Sequence, residues 1–436
     1  MAHDAYVVKL KDIRKHSNAD RLQCATVFGA NVIVGLNANE NDLYIYFPTE
    51  LQLDEEYCKV NDLVRRKDEN GNQCGGYLDP EKRYIRPLKL RGEVSDGLIM
   101  PLSSVASFNN GKVPNVKEGD TITTINGHTL CWKYIPPTKP VRMSGGAKKV
   151  KKIEEKVVFP QHIDTPQFQY YVQNFHPRDL ITITEKLEGT SHRSALLPIK
   201  KTNWFRKLFH LPEKVVYKDF CGSRRVTIEE GKDGYYGSND FRMEVHKRLV
   251  PHLKPNMEVF GEIVGYLGDT PIMGSVNTKK LNDKKFTQTY GENMEFSYGC
   301  QRGEYKFYVY RIVLLDDDGD IALEYSTDQI LAWCEDNGFE YVPILYRGYL
   351  GSYEWEDADA EARKEIEELA STHNDGPSTL DMRHWREGCV IRRENNARKF
   401  DVYKSKNYTY RFLKGMATDN IQNADNISAD LLEEMV

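Results

Sequence analysis

The sequence predicts an α+β protein of two domains, an all-β domain followed by a larger domain that mixes strands and helices. With 436 residues the chain exceeds the usual size of one domain. Its first third contains short alternating or apolar runs between turn residues, a pattern that predicts a small antiparallel barrel. Strand-like and helical periodicities are mixed in the remainder, which is typical of α+β proteins.

The composition changes sharply at residues 136–157. Proline, glycine, serine and a cluster of six lysines interrupt there the alternation of the flanking segments. We interpret this stretch as an interdomain linker. The predicted domains are therefore residues 1–135 and 158–436.

Each predicted element follows from its local pattern. Alternating or apolar runs predict strands at 5–10, 22–28, 31–36, 42–47, 180–187, 257–266, 304–315, 388–393 and 399–406. Apolar residues at helical spacing, or a highly charged run of helix formers, predict helices at 238–253, 326–339 and 356–371.

Composition excludes several classes of protein. Hydrophobic residues make up 40% of the chain, which is too many for a disordered protein. We expect neither membrane spans nor a signal peptide, because no apolar run approaches roughly 20 residues and the N-terminus is charged. The eight cysteines are scattered without a C-x-x-C pair, so we expect a reducing compartment, the cytoplasm. The net charge of -5 excludes a general nucleic-acid coat protein but leaves room for a local basic groove.

One lysine stands out because of what surrounds it. Lys186 ends a strand-like run and begins the sequence Lys-Leu-Glu-Gly-Thr-Ser, but K-x-x-G alone is weak evidence, and a second copy occurs at residues 89–92. Only Lys186 is followed by an ordered series of further motifs. These are Ser223-Arg224-Arg225, Phe260-Gly261-Glu262, Phe307-Tyr308-Val309-Tyr310, Glu387-Gly388-Cys389-Val390-Ile391 and Lys404-Ser405-Lys406.

The order and spacing of these motifs over residues 160–412 resemble the covalent nucleotidyltransferase superfamily, which includes ATP-dependent ligases and mRNA capping enzymes. The E-K-L-E-G-T-S form, the Ser-Arg element and the K-x-K ending resemble RNA ligases most. This resemblance implies a mixed α/β, ATP-grasp-like nucleotidyltransferase domain that uses ATP together with Mg²⁺ or Mn²⁺.

The N-terminal region carries a second resemblance. Residues 16–22 and 89–98 resemble the OB-fold module of tRNA-associated proteins. An OB barrel before the nucleotidyltransferase domain, with the run at 43–53, is similar to the nick-sealing, Rnl5-type RNA ligases. The resemblance therefore implies an N-terminal antiparallel OB barrel that binds nucleic acid.

The resemblance implies that Lys186 is the catalytic nucleophile. A lysine that attacks phosphorus must lose its proton, yet at the ordinary lysine pKa of about 10.4 only about one side chain in a thousand is neutral at neutral pH. Neighbouring cations favour the neutral form, and Lys404, Lys406 and a divalent metal would supply them. Lys404 and Lys406 are two residues apart in a strand, so both can meet phosphate oxygens. By the resemblance, Glu387 would hold water on the metal.

The nucleotide-binding residues are also implied by the resemblance. Glu185 would accept a hydrogen bond from the adenine amino group, and Arg224 would reach the ribose or an RNA phosphate. Glu262 would bind a ribose hydroxyl and contribute with Glu387 to the metal site. Phe307 would stack on adenine, with Tyr308 as the alternative.

The predicted function is therefore an ATP-dependent RNA ligase that joins 3′-hydroxyl and 5′-phosphate ends in three steps through a lysyl-AMP intermediate. We expect a monomer that acts on nicked or splinted RNA duplexes. A DNA ligase and a GTP-dependent capping enzyme are the nearest alternatives, although the superfamily's capping enzymes carry their OB domain after the catalytic core. A noncatalytic RNA-binding protein is the alternative of another class, but it would lack residues such as Lys186, Glu262, Glu387 and Lys406, all of which are present.

Overall fold

The chain divides into two compact units in the computed structural model. The first comprises Met1–Pro137, Gln169–Val172 and Arg411–Val436, and the second comprises Thr138–Phe168 and Gln173–Tyr410. The residues described are 4–67, 73–134, 159–160, 162, 165–201, 214–224, 226–230, 241–316, 318–351, 357–395 and 398–415. The predicted linker at 136–157 lies outside this set, so the predicted domain boundaries stay a prediction.

The first unit is built from short antiparallel strands. They are β1 (Tyr6–Lys9), β2 (Lys11–Lys15), β3 (Leu22–Val27), β4 (Ala30–Gly35), β5 (Leu43–Phe47), β6 (Leu51–Leu53), β7 (Arg65–Lys67), β8 (Gln73–Gly75), β9 (Leu88–Leu90), β10 (Glu93–Ser95), β11 (Leu98–Pro101), β12 (Thr124–Ile125), β13 (His128–Thr129) and β14 (Cys131–Lys133). Two three-stranded sheets have the orders β1-β5-β11 and β2-β3-β4. The other strands pair in twos.

The expected barrel is found only in part. The β-rich character of this unit agrees with the prediction, but among the described residues the strands form separate small sheets and no closed barrel. Their apolar faces pack into two main clusters, one around Ile45 and Phe47 and the other around Tyr46 and Tyr170. The OB fold therefore stays a prediction.

The second unit contains two larger, mainly antiparallel sheets, the larger of which includes one parallel pair, β23 with β25. Its strands are β15 (Leu180–Lys186), β16 (Thr190–Lys201), β17 (Lys214–Gly222), β18 (Thr227–Ile228), β19 (Met257–Leu267), β20 (Thr270–Pro271), β21 (Val276–Asn277), β22 (Asn293–Met294), β23 (Tyr305–Leu315), β24 (Ile321–Glu324), β25 (Glu340–Tyr341), β26 (Ile344–Tyr349), β27 (Gly388–Arg393) and β28 (Asp401–Lys406). One sheet has the order β26-β15-β27-β28, and the other has the order β18-β17-β16-β19-β23-β24. The predicted strands of this region are confirmed.

Six α-helices complete the described structure. They are α1 (Glu55–Val60), α2 (Arg242–Leu249), α3 (Lys284–Tyr290), α4 (Thr327–Asn337), α5 (Ala358–Asn374) and α6 (Tyr408–Leu413). Short 3-10 helices lie at Leu102–Phe108, Phe168–Tyr170, Val172–Asn174, Val250–His252 and Thr278–Leu281. The predicted serine cap of α4 is confirmed, because Ser326 and Gln329 form a capping box. None of the helices in the described ranges is long and apolar enough to cross a membrane.

The connection between β15 and β16 matters most for the site. β15 belongs to the four-stranded sheet and β16 to the larger one, so residues 187–189 carry the chain from one sheet to the other. Gly189 is required here, because a Cβ atom at this position would lie 2.4 Å from the carbonyl oxygen of Ile263 and 2.9 Å from Cγ of Glu262. The turn can therefore pack directly against β19.

Candidate active site

A cavity of about 850 Å³ lies in the second unit, lined by residues of both of its larger sheets. Its volume falls within the roughly 300–1,000 Å³ that is usual for small-molecule sites. The charged residues that line it are Glu185, Lys186, Glu188, Arg224, Glu229, Arg242, Glu262, Arg311, Glu324, Glu387, Arg392, Lys404 and Lys406. Seven of the eight residues proposed for the site from the sequence are among them.

Lys186 and Glu387 form the central contact of the cavity. Lys186 ends β15, and its Nζ lies 2.8 Å from Oε2 of Glu387. Oε1 of the same carboxylate lies 3.0 Å from Nζ of Lys406. Burial favours the neutral acid, but the two ammonium groups outweigh it and hold the pKa of Glu387 below its ordinary value. Glu387 is therefore a buried carboxylate shared by two lysines.

A glycine brings Glu387 close to β28. Gly388 has a φ of +151°, and a Cβ atom there would lie 2.0 Å from the carbonyl oxygen of Ser405. Gly388 pairs with Lys406 in the β27–β28 register, and the backbone N–H of Asn407 donates to the carbonyl oxygen of Glu387 at 3.2 Å. The Glu-Gly pair of the sequence motif thus allows the close strand approach that joins Glu387 to Lys406.

Lys404 and Lys406 both line the cavity, as expected for residues two apart in a strand. Lys404 is buried, and its backbone N–H donates to the carbonyl oxygen of Pro166 at 2.8 Å. Lys186 and these two lysines give this part of the cavity three cationic side chains. Such a group suits the phosphates of a nucleotide.

Thr379 positions the carboxylate of Glu185 through one of its two oxygens, and the other oxygen accepts no hydrogen bond among the described residues. The backbone N–H and the hydroxyl of Thr379 donate to Oε2 of Glu185 at 2.8 and 2.6 Å. The side chain is buried, and its Oε1 has no hydrogen-bond partner among the described residues. A buried acceptor without a partner is costly, so this oxygen is suited to a ligand donor such as an amino group.

Glu262 lies on β19 beside the other carboxylates. Burial raises its pKa to about 8 from an ordinary value of 4.5; Lys186 and Arg224 oppose the shift, whereas Glu387 and Glu188 add to it. Mg²⁺ and Mn²⁺ bind through few carboxylates and several waters. Among the described residues no cluster of three or more His, Cys, Asp or Glu side chains is arranged to bind a metal directly. Two carboxylates of the cavity lining, Glu262 and Glu387, suit a divalent ion that keeps most of its water.

Arg224 reaches the cavity from a segment anchored by a buried ion pair. Nη1 of Arg193 lies 3.1 Å from Oε1 of Glu258, and both side chains are 1% exposed. Nε of Arg193 donates to the carbonyl oxygen of Ser223 at 2.8 Å, directly before Arg224. Arg193 therefore positions the Ser-Arg element. Arg225, the other arginine of this motif, lies outside the described residues.

Phe307, expected from the resemblance to stack on adenine, lies away from the cavity. It is buried in an apolar cluster, with its ring 5.4 Å from that of His192, and it does not line the cavity. Tyr308, the alternative, is also buried and does not line it. Tyr310 does line the cavity, with its hydroxyl 3.1 Å from Nε2 of His162.

A β-bulge explains the difference. Phe260 pairs with Arg311 but the next residue, Gly261, pairs with Val309, so Tyr310 is the extra residue of β23. Strict alternation places Tyr310 on the face opposite to Phe307 and Val309 and offers no reason to prefer it over Tyr308. After the bulge Tyr310 and Arg311 both line the cavity. Tyr310 is thus an aromatic residue of β23 that is available to a bound base; Tyr341 of β25 lines the cavity as well.

Sequence reasoning also missed the contacts behind the Lys186 turn. The hydroxyl of Tyr410 donates to Oε2 of Glu188, and the backbone N–H of Glu188 donates to the hydroxyl of Tyr298 at 2.6 Å. Tyr410 and Glu188 are 222 residues apart in sequence. The only sequence signal was the Glu-Gly of the turn itself. These tyrosines fix the turn that follows Lys186.

Comparison with known proteins identifies the fold and the family. The solved structure of a mutant RNA ligase of Naegleria gruberi with ATP and Mn is 18% identical to this chain, covers 95% of this chain and 99% of its own, and has a TM-score of 0.57. The same ligase with AMP and Mn, as a mutant, is 19% identical with coverages of 93% and 97% and a TM-score of 0.56. An apo form is 19% identical with coverages of 94% and 98% and a TM-score of 0.58.

No curated protein sequence matches the chain significantly. The sequence family described as RNA ligase matches residues 179–406, which is 228 of the 436 residues. The chain therefore belongs to the RNA ligase family.

Proposed function

We propose that this protein is an ATP-dependent RNA ligase that seals 3′-hydroxyl and 5′-phosphate ends through a lysyl-AMP intermediate. The observation that carries the proposal is the Lys186–Glu387–Lys406 contact inside a cavity of nucleotide size. Solved relatives described with ATP, AMP and Mn support the choice of nucleotide and metal.

In the first step Nζ of Lys186 attacks the α-phosphorus of ATP. A nitrogen–phosphorus bond forms, the bond from the α-phosphorus to the bridging oxygen breaks, and pyrophosphate leaves. Lys404 and Lys406 line the same cavity and offset the negative charge that grows on the phosphate oxygens.

Lys186 must attack as the free amine, and Glu387, 2.8 Å from its Nζ, is its counter-ion in the structure. A divalent metal, when bound, supplies positive charge that neutralises the phosphates. If Glu387 turned its carboxylate toward the water shell of that ion, Lys186 would lose its counter-ion and be left beside the phosphate. Glu262 would face the same ion.

Glu185 and Tyr310 support recognition of adenine. The spare Oε1 of Glu185 can accept a hydrogen bond from the amino group of adenine, whereas guanine presents a carbonyl oxygen in that position and would repel it. Tyr310 offers a ring for stacking in place of Phe307. This pair favours ATP over GTP and therefore a ligase over a capping enzyme.

In the second step AMP passes from Lys186 to the 5′-phosphate of RNA, and in the third the 3′-hydroxyl attacks that phosphate and releases AMP.

We propose that the first unit is an OB domain that binds the RNA. An outward row of its paired strands supports this role: Trp132 is opposite Gln52, which is bridged to Tyr84. Trp132 is 39% exposed, and Tyr84 stacks on Tyr134 with ring centroids 4.3 Å apart. Trp132 is thus exposed and the two tyrosines are half-buried, and accessible aromatic rings are typical of barrels that bind single-stranded nucleic acid.

Several finer points belong to the same proposal. We propose a monomeric cytoplasmic enzyme with domains at 1–135 and 158–436 whose preferred substrate is a nick in duplex RNA. The resemblance of the N-terminal region to nick-sealing ligases supports the substrate, the scattered cysteines support the compartment, and the change of composition at 136–157 supports the domain bounds.

The test compares sealing of fluorescently labelled RNA as a nicked duplex, a splinted break and a single strand, with ATP or GTP and Mg²⁺ or Mn²⁺. We expect sealing of the nicked duplex with ATP. Lys186→Ala should fail with ATP yet still seal a nick that already carries a 5′-adenylate, because the third step does not use Lys186 as nucleophile. Sealing of DNA alone would indicate a DNA ligase, and reaction only with GTP would indicate a capping enzyme. No reaction with any substrate would refute the proposal.

A further inference from the structure

A second candidate surface lies outside the cavity, in the lysine segment, defined as Lys279–Lys285. The segment spans the end of the 3-10 helix Thr278–Leu281 and the start of α3. Asn277 caps the first helix, since its side chain accepts from the backbone N–H of Lys279 at 2.9 Å. Asp283 caps the second in the same way, accepting from Phe286 at 2.9 Å. The backbone of the segment is therefore fixed at both turns.

The segment carries a local positive charge. Residues 276–290 contain four lysines and one aspartate, a net charge of +3 in a chain whose net charge is -5. The four lysines are Lys279, Lys280, Lys284 and Lys285, and all are exposed. Lys279 pairs with Glu292 at 2.7 Å, but both side chains are about 60% exposed, so the pair is weak. The segment thus presents cations to solvent on a rigid support.

Aromatic packing connects the lysine segment to the strand that carries Glu387. The ring of Phe286 lies 5.3 Å from that of Trp385, and the ring of Tyr290 lies 5.5 Å from it. Trp385 precedes Glu387 by two residues, a span of at most about 7 Å. The lysine segment is therefore connected to the strand that carries Glu387 into the cavity. An extended polyanion with one end in the cavity could reach these lysines.

We propose that the lysine segment binds the phosphate backbone of the RNA substrate, near the 5′-phosphate that is joined. This inference rests on the proposed function. Exposed lysines act as point charges and suit phosphates, which fix the register of a nucleic acid without reading its sequence. The segment therefore contributes affinity that is independent of sequence and sensitive to salt.

The test measures the salt dependence of RNA binding. The triple variant Lys280→Gln, Lys284→Gln, Lys285→Gln removes three charges from the segment. The matched control, Lys247→Gln, Lys254→Gln, Lys364→Gln, removes three exposed lysines elsewhere in the same unit. Fluorescence anisotropy of a labelled nicked RNA duplex gives the dissociation constant at several salt concentrations.

We expect the slope of log affinity against log salt to fall by about one for each phosphate that no longer meets a lysine, hence by about two to three for the triple variant, with weaker binding at low salt. The control should keep the wild-type slope. Transfer of label from ATP to the protein needs no RNA, so it is measured in parallel and reports on the first catalytic step alone.

An unchanged slope in the triple variant would overturn the inference, and so would an equal decrease in the control. These results leave the proposed function intact as long as label transfer and sealing persist in the wild type. Absence of label transfer in the wild type would instead count against the proposed function.

Discussion

Substitution of Glu387 by glutamine gives the sharpest test of the site's electrostatics. The glutamine keeps the shape of the side chain but removes the charge shared by Lys186 at 2.8 Å and Lys406 at 3.0 Å. Removal of one partner from a buried pair costs roughly 3–5 kcal/mol. The Lys186 side chain is 24% exposed and the Lys406 side chain 14%, so water compensates part of the loss. We expect the free energy of unfolding to fall by about 3 kcal/mol near pH 7.

The pH dependence of this difference has a definite sign. The pKa of folded Glu387 lies below its ordinary value of 4.5, so its contribution is complete above that value and is lost as the pH falls through the folded pKa. The gap between wild type and Glu387→Gln should therefore be constant from about pH 5 to 7 and shrink toward about pH 3.

Urea denaturation followed by tryptophan fluorescence measures both effects in nucleotide-free protein. Glu335→Gln, at an exposed position of α4, is the control and should change stability by less than about 0.5 kcal/mol. A loss below about 1 kcal/mol near pH 7, or a gap that stays the same at about pH 3, would refute the reasoning.

Three further predictions concern the base, the nucleotide preference and a buried acid. Tyr310→Leu should raise KM for ATP by about tenfold, since stacking on a base is worth about 1–3 kcal/mol. Phe307→Leu should instead lower the free energy of unfolding and leave KM unchanged. The rate of lysyl-AMP formation at several ATP concentrations gives KM, and urea denaturation gives the stability. Glu185→Gln should reduce the preference for ATP over GTP by about tenfold, because a hydrogen bond to a charged acceptor is worth about 1.5–3 kcal/mol, as label transfer from each nucleotide would show. Burial raises the pKa of Glu258 to about 7 despite the nearby Arg193. As the pH rises from about 4.5 to about 8, the free energy of unfolding of the wild type should therefore fall by about 3 kcal/mol relative to that of Glu258→Gln. Urea denaturation measures this difference.

Each of these has a clear contrary result. A rise in KM caused by Phe307→Leu, with none from Tyr310→Leu, would return the stacking role to Phe307. An unchanged nucleotide preference in Glu185→Gln would remove that side chain from base recognition. A stability gap for Glu258→Gln that does not vary with pH would mean that the wild-type acid keeps its ordinary pKa.

The sequence predicted the strands that carry the site, because alternation fixes which residues share a face. Lys404 and Lys406 were expected on one face of a strand, and both line the cavity. Lys186 was expected at the end of a strand beside a glycine turn, as found. These features depend on residues adjacent in sequence.

Contacts between distant segments could not be predicted in the same way. Tyr310 is the extra residue of a bulge in β23, and the alternation of that strand gives no reason to prefer it over Tyr308. The bond from Tyr410 to Glu188 joins segments more than two hundred residues apart. Neither feature leaves a periodic signal in the sequence, since each depends on how strands meet in the folded protein.

The first unit shows a different limit. Short strands with turns between them were expected and are found, but alternation does not determine how such strands close on one another. A barrel and a set of small sheets share the same local pattern. The OB fold therefore depends on the resemblance of residues 16–22 and 89–98.

The most direct test of the central claim is the site of nucleotide attachment. Wild type, Lys186→Ala and Lys404→Ala would each be incubated with labelled ATP and Mg²⁺ or Mn²⁺, and the labelled peptide would be mapped by mass spectrometry. Intact mass before incubation would reveal protein already adenylylated during expression. We predict AMP on Lys186 in the wild type, none in Lys186→Ala, and attachment at Lys186 at a reduced rate in Lys404→Ala. AMP on another residue, or undiminished labelling of Lys186→Ala, would contradict the account.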